Sequence, residues 1–444
     1  MQYVLTNVAT VTGNSSGESY KIGRLLGGGG QGEVYVASTA DRDYALKWYF
    51  PESATTVQRC ALERLVELPP PPGFLWPLEL ASAAGVQGFG YLMPLRPAHF
   101  KSLFDLMKRR IEPTFRSLFT AGLALADSYW QLHSKGLCYC DISFGNVFFD
   151  PANGDVLICD NDNVTIDHTT DGRVPGTPRF MAPEVVLGAP PSSDSDRFSL
   201  AVLLFYMLHV HHPLEGAREQ AIHCLDMPAL RQLFGEEPIF IFDPENAANR
   251  PVPGTQDNAG IYWKIYPQSL KALFTRVFTR GLRDPRDGRV RETEWRDELA
   301  RVRDGIFYCP GCASENFYQP EAIDPAGKLG QSCWSCGNPL RLPLRLRYQA
   351  DKVSHVVLLN HDTRLYPHHL IGGSQRFVFG TPLAEVTRHP SDATLWGLKN
   401  LSTVPWYFTA REGDGTVEVP PGKAASLLDG ARIAFGPVVG EIRA

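Results

Sequence analysis

The sequence predicts an α+β chain in which a strand-rich part is followed by a helix-rich part, a small cysteine-bearing module and an all-β sandwich. Strand patterns flank a run of four glycines near the N-terminus, helical periodicity recurs between residues 115 and 210, and alternating strand patterns return after residue 341. A chain of 444 residues is too long for one ordinary core, and 43% hydrophobic residues allow about two to four well-buried domains.

Charge and hydropathy exclude several classes of protein. The formal net charge of −5 gives no basic surface for nucleic acid and no polybasic arm for a membrane. The most apolar run, residues 198–210, is shorter than the ~20 residues that a spanning helix needs, so it predicts a buried core helix. Residues 1–15 lack the basic and apolar regions of a signal peptide, and nine cysteines, an odd number, suit a disulfide framework poorly. We therefore expect a cytoplasmic protein.

A glycine-rich hairpin is predicted between two short strands, residues 22–26 and 34–36. It fits the pattern G-x-G-x-x-G-x-V, with Gly27, Gly28, Gly29, Gly30, Gly32 and Val34 as its members. Glycines suit a phosphate-binding loop because side chains would keep backbone N–H groups away from phosphate oxygens. The run also fits a flexible turn, whereas a dinucleotide-binding fingerprint would require a helix directly afterwards. A strand follows, which favours a hairpin over phosphates.

The next strand pattern, Tyr44-Ala45-Leu46-Lys47, ends in a lysine. A lone lysine at a strand end is usually solvated, but an apolar strand at this distance after a glycine hairpin favours a phosphate-binding role. A helix is predicted over residues 55–68, and three glutamates are candidates for the lysine's partner: Glu52, Glu63 and Glu67. We predict Glu63, because it lies beside a core-facing apolar stripe, with Glu67 as the alternative.

Asp141 and Asn146 lie five residues apart in an apolar run that follows a helix predicted over residues 115–136. The strand predicted at residues 156–159 leads directly to Asp160. The oxygens of Asn146 and Asp160 suit a cation such as Mg²⁺, which keeps waters and shares phosphate oxygens.

These motifs, followed by Gly176-Thr177-Pro178-Arg179-Phe180-Met181-Ala182-Pro183-Glu184, have the order and intervals of a protein kinase. Residues 18–305 resemble a Hanks-type Ser/Thr protein kinase. The resemblance implies a two-lobed fold, with an N-terminal extension at residues 1–17, a small lobe at 18–95 and a large lobe at 96–305. ATP and Mg²⁺ are the implied cofactors.

The resemblance also implies a role for each matched residue. Asp141 would accept the proton of the substrate hydroxyl, Lys47 would hold the α- and β-phosphates, and Asn146 and Asp160 would bind Mg²⁺. The implied catalytic residues are Asp141, Lys47 and Asn146. The implied nucleotide-binding residues are Gly27, Gly28, Gly29, Gly30, Gly32, Val34, Ala45, Lys47, Glu63, Met93, Leu95, Asn146 and Asp160. Met93 would close the adenine pocket, although a methionine is also a common core filler. Glu184 and Arg289 would form a structural ion pair.

The sequence departs from the kinase pattern at several positions. Tyr139 and Cys140 occupy the positions of His and Arg, so a phosphorylated segment has no cation to dock on there and activity should not require that switch. Ser143 replaces a lysine near the transferred phosphoryl group. Asp162 replaces a flexible glycine, which either adds a metal-facing charge or stiffens the loop.

We predict an active kinase that phosphorylates Ser or Thr of a specific protein, because Thr177 favours hydroxyl-type specificity by resemblance. The alternative is a pseudokinase or scaffold that binds nucleotide or partners without efficient transfer. A small-molecule phosphotransferase is disfavoured, because residues 176–184 resemble a peptide platform.

Four cysteines form the pattern C-x₂-C-x₂₀-C-x₂-C: Cys309, Cys312, Cys333 and Cys336. Four thiolates on two turns predict a structural zinc ribbon over residues 306–340. Two redox pairs are the weaker alternative, because nothing around them resembles a thioredoxin unit.

Residues 341–444 predict a β-sandwich, with strands expected at 341–347, 353–359, 377–379 and 433–435. Residues 395–402, 419–423 and 433–436 resemble the second half of a forkhead-associated domain, without the residues that bind phosphothreonine. Kinase, zinc ribbon and sandwich, with residues 239–244 and 249–254, together resemble bacterial kinases of tellurium-resistance-associated stress systems. That resemblance implies a von Willebrand A domain protein and a metal-dependent phosphatase as partners, with docking by the C-terminal domains.

Overall fold

The computed structural model describes residues 4–5, 8–169, 176–325, 327, 329–350, 353–371 and 377–444. These residues form two compact units. The first contains the described residues of Met1–Pro113, Thr120–Tyr262 and Ala272–Arg296, and the second those of Thr114–Phe119, Trp263–Lys271 and Asp297–Ala444. Within the described ranges, none of the helices has both the length and the apolar character needed to cross a bilayer.

The first unit opens with a closed antiparallel barrel whose strand order is β1-β2-β3-β4-β6-β5. The strands are β1 (Thr10–Gly13), β2 (Ser19–Gly28), β3 (Gly32–Ser38), β4 (Asp43–Tyr49), β5 (Glu79–Ser82) and β6 (Gly90–Pro94). Because β1 pairs with both β2 and β5, residues 10–13 are part of the barrel, although the sequence predicts an extension there.

Strand β4 is buried on both faces, and its alternate residues pack into two different environments. Leu46 and Trp48 pack into the barrel core with Tyr35 and Leu92. The opposite face carries Lys47 between two apolar neighbours, Ala45 and Tyr49, which belong to a second cluster. The period of two therefore places the lysine outside the barrel core but still within a buried environment.

Helix α1 (Thr56–Glu67) confirms the helix predicted over residues 55–68. Thr55 caps its N-terminus, since its hydroxyl accepts a bond from the Gln58 N–H at 3.2 Å. Leu62 and Leu65 are its buried residues, and the helix ends before four prolines, residues 69–72, that remove backbone donors.

The remainder of the first unit is mainly helical. Its short strands are β7 (Lys101–Ser102), β8 (Leu137–Cys138), β9 (Val147–Phe149), β10 (Val156–Ile158) and β11 (Thr165–Ile166), which form the sheets β10-β9-β7 and β11-β8. The helices that follow α1 are α2 (Leu103–Met107), α3 (Phe115–His133), α4 (Pro183–Val186), α5 (Ser193–His209), α6 (Ala217–Gln220), α7 (Met227–Arg231), α8 (Asp257–Ile265), α9 (Gln268–Phe278), α10 (Arg280–Arg283) and α11 (Glu292–Asp304). Helices α3, α8, α9 and α11 have residues in both units.

Helix α5 is the central core element of the first unit. It is buried over nearly its whole length, which confirms the buried helix predicted from residues 198–210. Phe198, Phe205 and Phe278 form edge-to-face ring contacts there. Such a core gives a rigid base for the loops that precede and follow it.

The second unit contains a small cysteine-bearing hairpin and two larger sheets. The hairpin strands are β12 (Ile306–Tyr308) and β13 (Glu315–Phe317). The other elements are β14 (Arg345–Ala350), β15 (Val353–Leu358), β16 (Arg364–Leu365), α12 (Pro367–Leu370), β17 (Ala384–His389), β18 (Asp392–Asn400), β19 (Trp406–Thr409), β20 (Val417–Val419), β21 (Ala424–Ser426), β22 (Arg432–Ala434) and β23 (Val439–Arg443).

Two sheets share one hydrophobic core and so form the predicted β-sandwich. Their strand orders are β15-β14-β23-β22-β19-β20 and β16-β17-β18-β21. Leu346 and Ile433 from the first sheet pack in the same cluster as Leu398 and Ala425 from the second. The strand expected at residues 377–379 is wrong, since these residues lie outside any strand.

The glycine hairpin gives a prediction about folding. A Cβ added at Gly32 would lie 2.2 Å from the Trp48 carbonyl oxygen, whereas one added at Gly30 would meet nothing within 4 Å. We expect Gly32→Ala to lower the free energy of unfolding by about 1–3 kcal/mol, because backbone must move. Gly30→Ala should change it by less than about 0.5 kcal/mol. Urea unfolding of both variants tests this, and equal losses would contradict it.

Candidate active site

A buried lysine on β4 pairs with two aspartates. The Lys47 residue is 5% exposed, and its amino group bonds Asp160 Oδ1 and lies 2.9 and 3.0 Å from the carboxylate oxygens of Asp162. Gln31 of the glycine hairpin accepts a further bond from it at 3.1 Å. A buried ammonium group needs opposite charge beside it, so the two carboxylates determine where the head of the lysine lies.

Asp162 is fully buried and bonded from several sides. The Tyr49 hydroxyl donates to its Oδ2, and the Gln58 amide donates to its backbone carbonyl at 3.1 Å. The aspartate lies in a 3₁₀ turn, Asn161–Asn163. Asn161 fixes this turn by donating its amide to the carbonyl of Leu75 at 2.7 Å. The turn therefore holds the Asp162 carboxylate in place.

The charges of this cluster influence one another. Burial raises the pKa of Asp160 to about 6, and the neighbouring Asp162 charge acts in the same direction. Burial would also raise the pKa of Asp162, but the Lys47 charge outweighs it and holds that pKa below its usual value. Burial would lower the pKa of Lys47, but the two aspartates raise it. The lysine is therefore charged at neutral pH.

The prediction that Glu63 is the partner of Lys47 is wrong. The Glu63 carboxylate pairs with Arg59 at 3.0 Å, one turn earlier on α1, and its side chain is 51% exposed. Helix α1 turns Leu62 and Leu65 to the core, so the residue beside that stripe faces solvent. The α1 residue that reaches the cluster is the neutral Gln58.

Asp141 and Asn146 lie together in the loop between β8 and β9. The Asn146 amide donates to the Asp141 backbone carbonyl at 2.9 Å and to its Oδ2 at 3.1 Å. Thr177 donates its hydroxyl to Asp141 Oδ1 at 2.6 Å. Burial raises the pKa of Asp141, although these two bonds and the Lys47 charge oppose the shift. The carboxylate is thus oriented by neighbours from both sides.

Two backbone contacts place this loop beside Asp160 and the segment that contains Thr177. The Cys159 N–H donates to the Asn146 carbonyl at 2.9 Å, directly before Asp160. A Cβ at Gly176, whose φ is +110°, would lie 2.8 Å from the Cys140 carbonyl oxygen. Only glycine allows this close approach at that φ. The loop, the Asp160 segment and the Thr177 segment therefore lie side by side.

Helix α5 fixes the start of the loop through a buried carboxylate. Asp196 accepts bonds from the backbone N–H groups of Tyr139 at 2.5 Å and Cys140 at 3.0 Å. Its Oδ2 also lies 3.1 Å from His133 Nε2, and His133 Nδ1 lies 2.6 Å from Glu292. The pKa of His133 is raised to about 9, because these carboxylates outweigh the effect of burial. Asp196 and His133 thus tie the loop to α3, α5 and α11.

The predicted nucleotide-contacting glycines form a hairpin between β2 and β3. Gly27 is opposite Val34, Gly28 is opposite Glu33, and the Gly29 N–H bonds the Gly32 carbonyl at 2.9 Å. A side chain at Gly27, Gly29 or Gly30 would meet nothing within 4 Å, so these backbones are open to approach.

The predicted adenine-contacting residues also lie together. Ala45 on β4 is opposite Met93 on β6, and Val34 and Leu95 pack against the same apolar cluster. Apart from Glu63, the predicted nucleotide and catalytic residues therefore gather around β3, β4, β6 and the loops that carry Asp141 and Asp160.

The expected structural ion pair is confirmed. Arg289 donates to both carboxylate oxygens of Glu184 at 2.7 Å, and its side chain is fully buried. Arg289 also donates to the Asp194 carbonyl at 2.7 Å, at the start of α5. Together, the bidentate pair with Glu184 and the bond to the Asp194 carbonyl hold the end of the Thr177 segment on the core helix α5.

Residues 91–276 match the family model of the protein kinase domain. This stretch of the chain is therefore similar to a protein kinase domain. The match begins at β6 and ends within α9, so the glycine hairpin and Lys47 precede it.

Three curated relatives are serine/threonine-protein kinases. PknK of Mycobacterium bovis is 30% identical over 203 residues, which cover 43% of this chain and 18% of that protein. The DNA damage-responsive kinase RqkA of Deinococcus radiodurans is 27% identical over 304 residues, 64% of this chain and 44% of that protein. PknD of Chlamydia abortus is 26% identical over 245 residues, 46% of this chain and 26% of that protein. The chain covers less than half the length of each, and the matches support a protein kinase enzyme.

Sequence reasoning missed three residues of the lysine site and the role of a fourth. These are Gln31, Tyr49, Gln58 and the lysine-binding role of Asp162. Of these, only Tyr49 could have been predicted from the sequence, since it lies two positions from Lys47 and so on the same face of β4. Helix periodicity does not show which polar residue of α1 points at a buried charge.

A candidate metal centre lies in the second unit. The four sulfur atoms of the predicted zinc ribbon lie within 4.8 Å of one another, with Cys309 and Cys336 3.6 Å apart and Cys312 and Cys333 3.7 Å apart. The Gly311 N–H points to Cys309 Sγ at 3.4 Å, and the Asn316 amide to Cys333 Sγ at 3.6 Å. Four converging thiols with N–H donors suit a tetrahedral thiophilic ion such as Zn²⁺.

The buried His133 gives a pH prediction. Its pKa rises from 6.5 to about 9 on folding, so protonated His133 stabilises the fold fully below pH 6.5, and this contribution is lost as pH rises through 9. We expect its loss to cost on the order of 1–3 kcal/mol. Thermal unfolding from pH 6 to 9.5 should show a deficit for His133→Gln that is largest at pH 6 and shrinks by pH 9.5. A deficit that stays constant with pH would contradict the charged pair.

Proposed function

We propose that this chain is an ATP- and Mg²⁺-dependent kinase that transfers the γ-phosphate to Ser or Thr of a specific protein. The observation that supports it most is the gathering of four residues around one site: Lys47, Asp141, Asn146 and Asp160. In phosphoryl transfer, catalysis is mainly positioning and charge neutralisation, and these side chains supply both.

Each residue has a role that its contacts support. Asp141 is the base, because Thr177 and Asn146 hold its carboxylate in one orientation. Lys47 offers a fixed positive charge to phosphate oxygens. Asn146 commits its amide nitrogen to Asp141 and keeps its oxygen for a cation, and Asp160 adds a carboxylate that is one-third exposed. Two hard oxygen donors fit Mg²⁺, which when bound neutralises phosphate charge.

The segment after Gly176 supports a protein substrate. Its residues border a cavity of about 380 Å³, with Pro178, Met181 and Val186 on one side and Met227 and Phe234 on the other. The lining is mostly apolar, which suits a side chain of an extended peptide next to the catalytic loop.

Two finer assignments complete the proposal. The C-terminal sandwich, which we assign to a degenerate forkhead-associated-like fold, docks the substrate or partner protein. By the resemblance to stress-system kinases, that partner is a von Willebrand A domain protein, and a metal-dependent phosphatase reverses the modification. Co-purification of the chain with each candidate, with and without residues 341–444, tests this assignment.

Radiolabelled ATP with Mg²⁺ and casein as a general acceptor tests the activity. We expect Asp141→Asn to lower phosphate transfer at least about 100-fold, because it removes the base. Asp160→Ala should abolish Mg²⁺-dependent transfer. Asp155→Asn, an exposed residue of the β9–β10 turn, is the matched control and should behave as wild type. If wild type and the two site variants are equally silent while nucleotide still binds, the chain is a pseudokinase.

The cysteine cluster is proposed to hold a structural zinc ion. Purified protein should contain about one zinc per chain by mass spectrometry of the metal. Cys309→Ser and Cys333→Ser should lose it and lower the melting temperature of the second unit. Cys224→Ser, an exposed cysteine outside the cluster, should retain it. Full retention of zinc in the Cys309 and Cys333 variants would reject the site.

A further inference from the structure

We infer that Asp162 is the positioning residue of Lys47, a role that protein kinases usually give to a glutamate on the helix after the lysine strand. This inference rests on the proposed function. It assigns the lysine's permanent counter-charge to the metal-binding segment instead of α1.

The contacts of Asp162 carry the inference. Both of its oxygens face the Lys47 amino group, at 2.9 and 3.0 Å, and the residue is fully buried. Tyr49 donates to the same carboxylate, and Tyr91 lies 3.5 Å from its Oδ1. Because solvent does not reach this carboxylate, water does not compete for its ion pair with Lys47.

Helix α1 supplies no carboxylate among its described residues that could do this. Glu63 pairs with Arg59 at the surface, and Glu67 is exposed. The α1 side chain at the cluster is Gln58, whose amide donates to the Asp162 carbonyl at 3.1 Å and lies 3.5 Å from its Oδ2. A neutral donor at this position fits a site where the negative charge is already present.

The two aspartates have different surroundings, which divides their roles. Asp160 is one-third exposed and is the proposed cation ligand, whereas the side chain of Asp162 has no exposure. A lysine that relied on Asp160 alone would share its only counter-charge with the cation. With Asp162 present, Lys47 keeps a dedicated partner while Asp160 serves the metal.

The arrangement also couples the lysine to the metal-binding segment. Asp160 and Asp162 lie at either side of Asn161, whose amide anchors the turn on the Leu75 carbonyl. The position of Lys47 is therefore set by this turn, and a shift of α1 does not remove its carboxylate partner.

The experiment compares variants that move the carboxylate. Asp162→Asn keeps the shape and removes the charge, so we expect the KM for ATP to rise at least tenfold and kcat to fall at least tenfold. Adding Gln58→Glu to Asp162→Asn returns a carboxylate from α1 and should recover at least threefold of each loss. A residue with a purely structural role would show no such recovery by a charge from another element. Gln58→Glu alone should not improve on wild type.

Glu63→Gln tests the alternative that α1 supplies the carboxylate partner of Lys47, and Glu67→Gln is its matched surface control. Both should stay within twofold of wild type in KM and kcat. If Glu63→Gln loses activity while Asp162→Asn does not, the inference is overturned. If Asp162→Asn does not fold, Glu63→Gln still decides, because a tenfold loss there assigns the role to α1 and wild-type kinetics excludes α1.

Failure of this inference is distinct from failure of the proposed function. Wild-type protein that neither transfers phosphate nor gains thermal stability with ATP and Mg²⁺ would reject the function itself. Wild-type transfer together with unchanged kinetics in a folded Asp162→Asn variant would reject only the role of Asp162. If wild type binds ATP without transferring phosphate, the thermal shift replaces KM, and Asp162→Asn should then reduce it by more than half.

Discussion

The structure of the site depends on one buried ammonium group and the two carboxylates that neutralise it. Lys47 lies almost completely out of solvent, and an isolated charge there would be costly. Asp160 and Asp162 remove that cost and at the same time fix the lysine relative to the loop that carries both. The strand alternation of β4 makes this possible, because Leu46 and Trp48 fill the barrel while Lys47 and Tyr49 face the aspartates. The alternation of side chains along β4 therefore determines where the Lys47 amino group lies.

A second buried carboxylate has the same effect on the loop that carries Asp141 and Asn146. Asp196 accepts the N–H groups of Tyr139 and Cys140, so two backbone donors that would otherwise be unsatisfied define the start of the loop. His133 bridges Asp196 to Glu292. Because α5 is buried nearly throughout, this network rests on a well-packed core helix. The position of Asp141 then follows from backbone geometry, without the His and Arg side chains that kinases usually have before it.

Much of this was predictable from the sequence, and each error has a physical cause. The glycine hairpin, the α1 boundaries and the buried α5 follow from local periodicity or short motifs, which act within a few residues. The Glu184–Arg289 pair joins residues far apart in the sequence and was expected only from the resemblance to protein kinases. The partner of Lys47 depends on which of several carboxylates reaches a buried charge, and that is decided by tertiary packing. Amphipathic analysis places Glu63 beside the core stripe but does not show that its side chain turns to Arg59. The strand expected at residues 377–379 failed because three apolar residues are too short a run to distinguish a strand from irregular chain, and Val378 is exposed.

The charge balance of the lysine site has a consequence for how the domain is controlled. Two carboxylates face one ammonium, which leaves a net negative charge near Asp160 and favours a cation there. If Asp162 holds the lysine, neither the lysine nor the cation site requires a particular position of α1. The loop start likewise requires no arginine at position 140, since Asp196 binds that residue through its backbone. If the chain is a kinase as proposed, fixed buried contacts replace both of the usual points of control, helix displacement and phosphate docking at the loop arginine. Under the proposed function, such a domain is assembled for catalysis as it folds, and regulation falls to substrate docking.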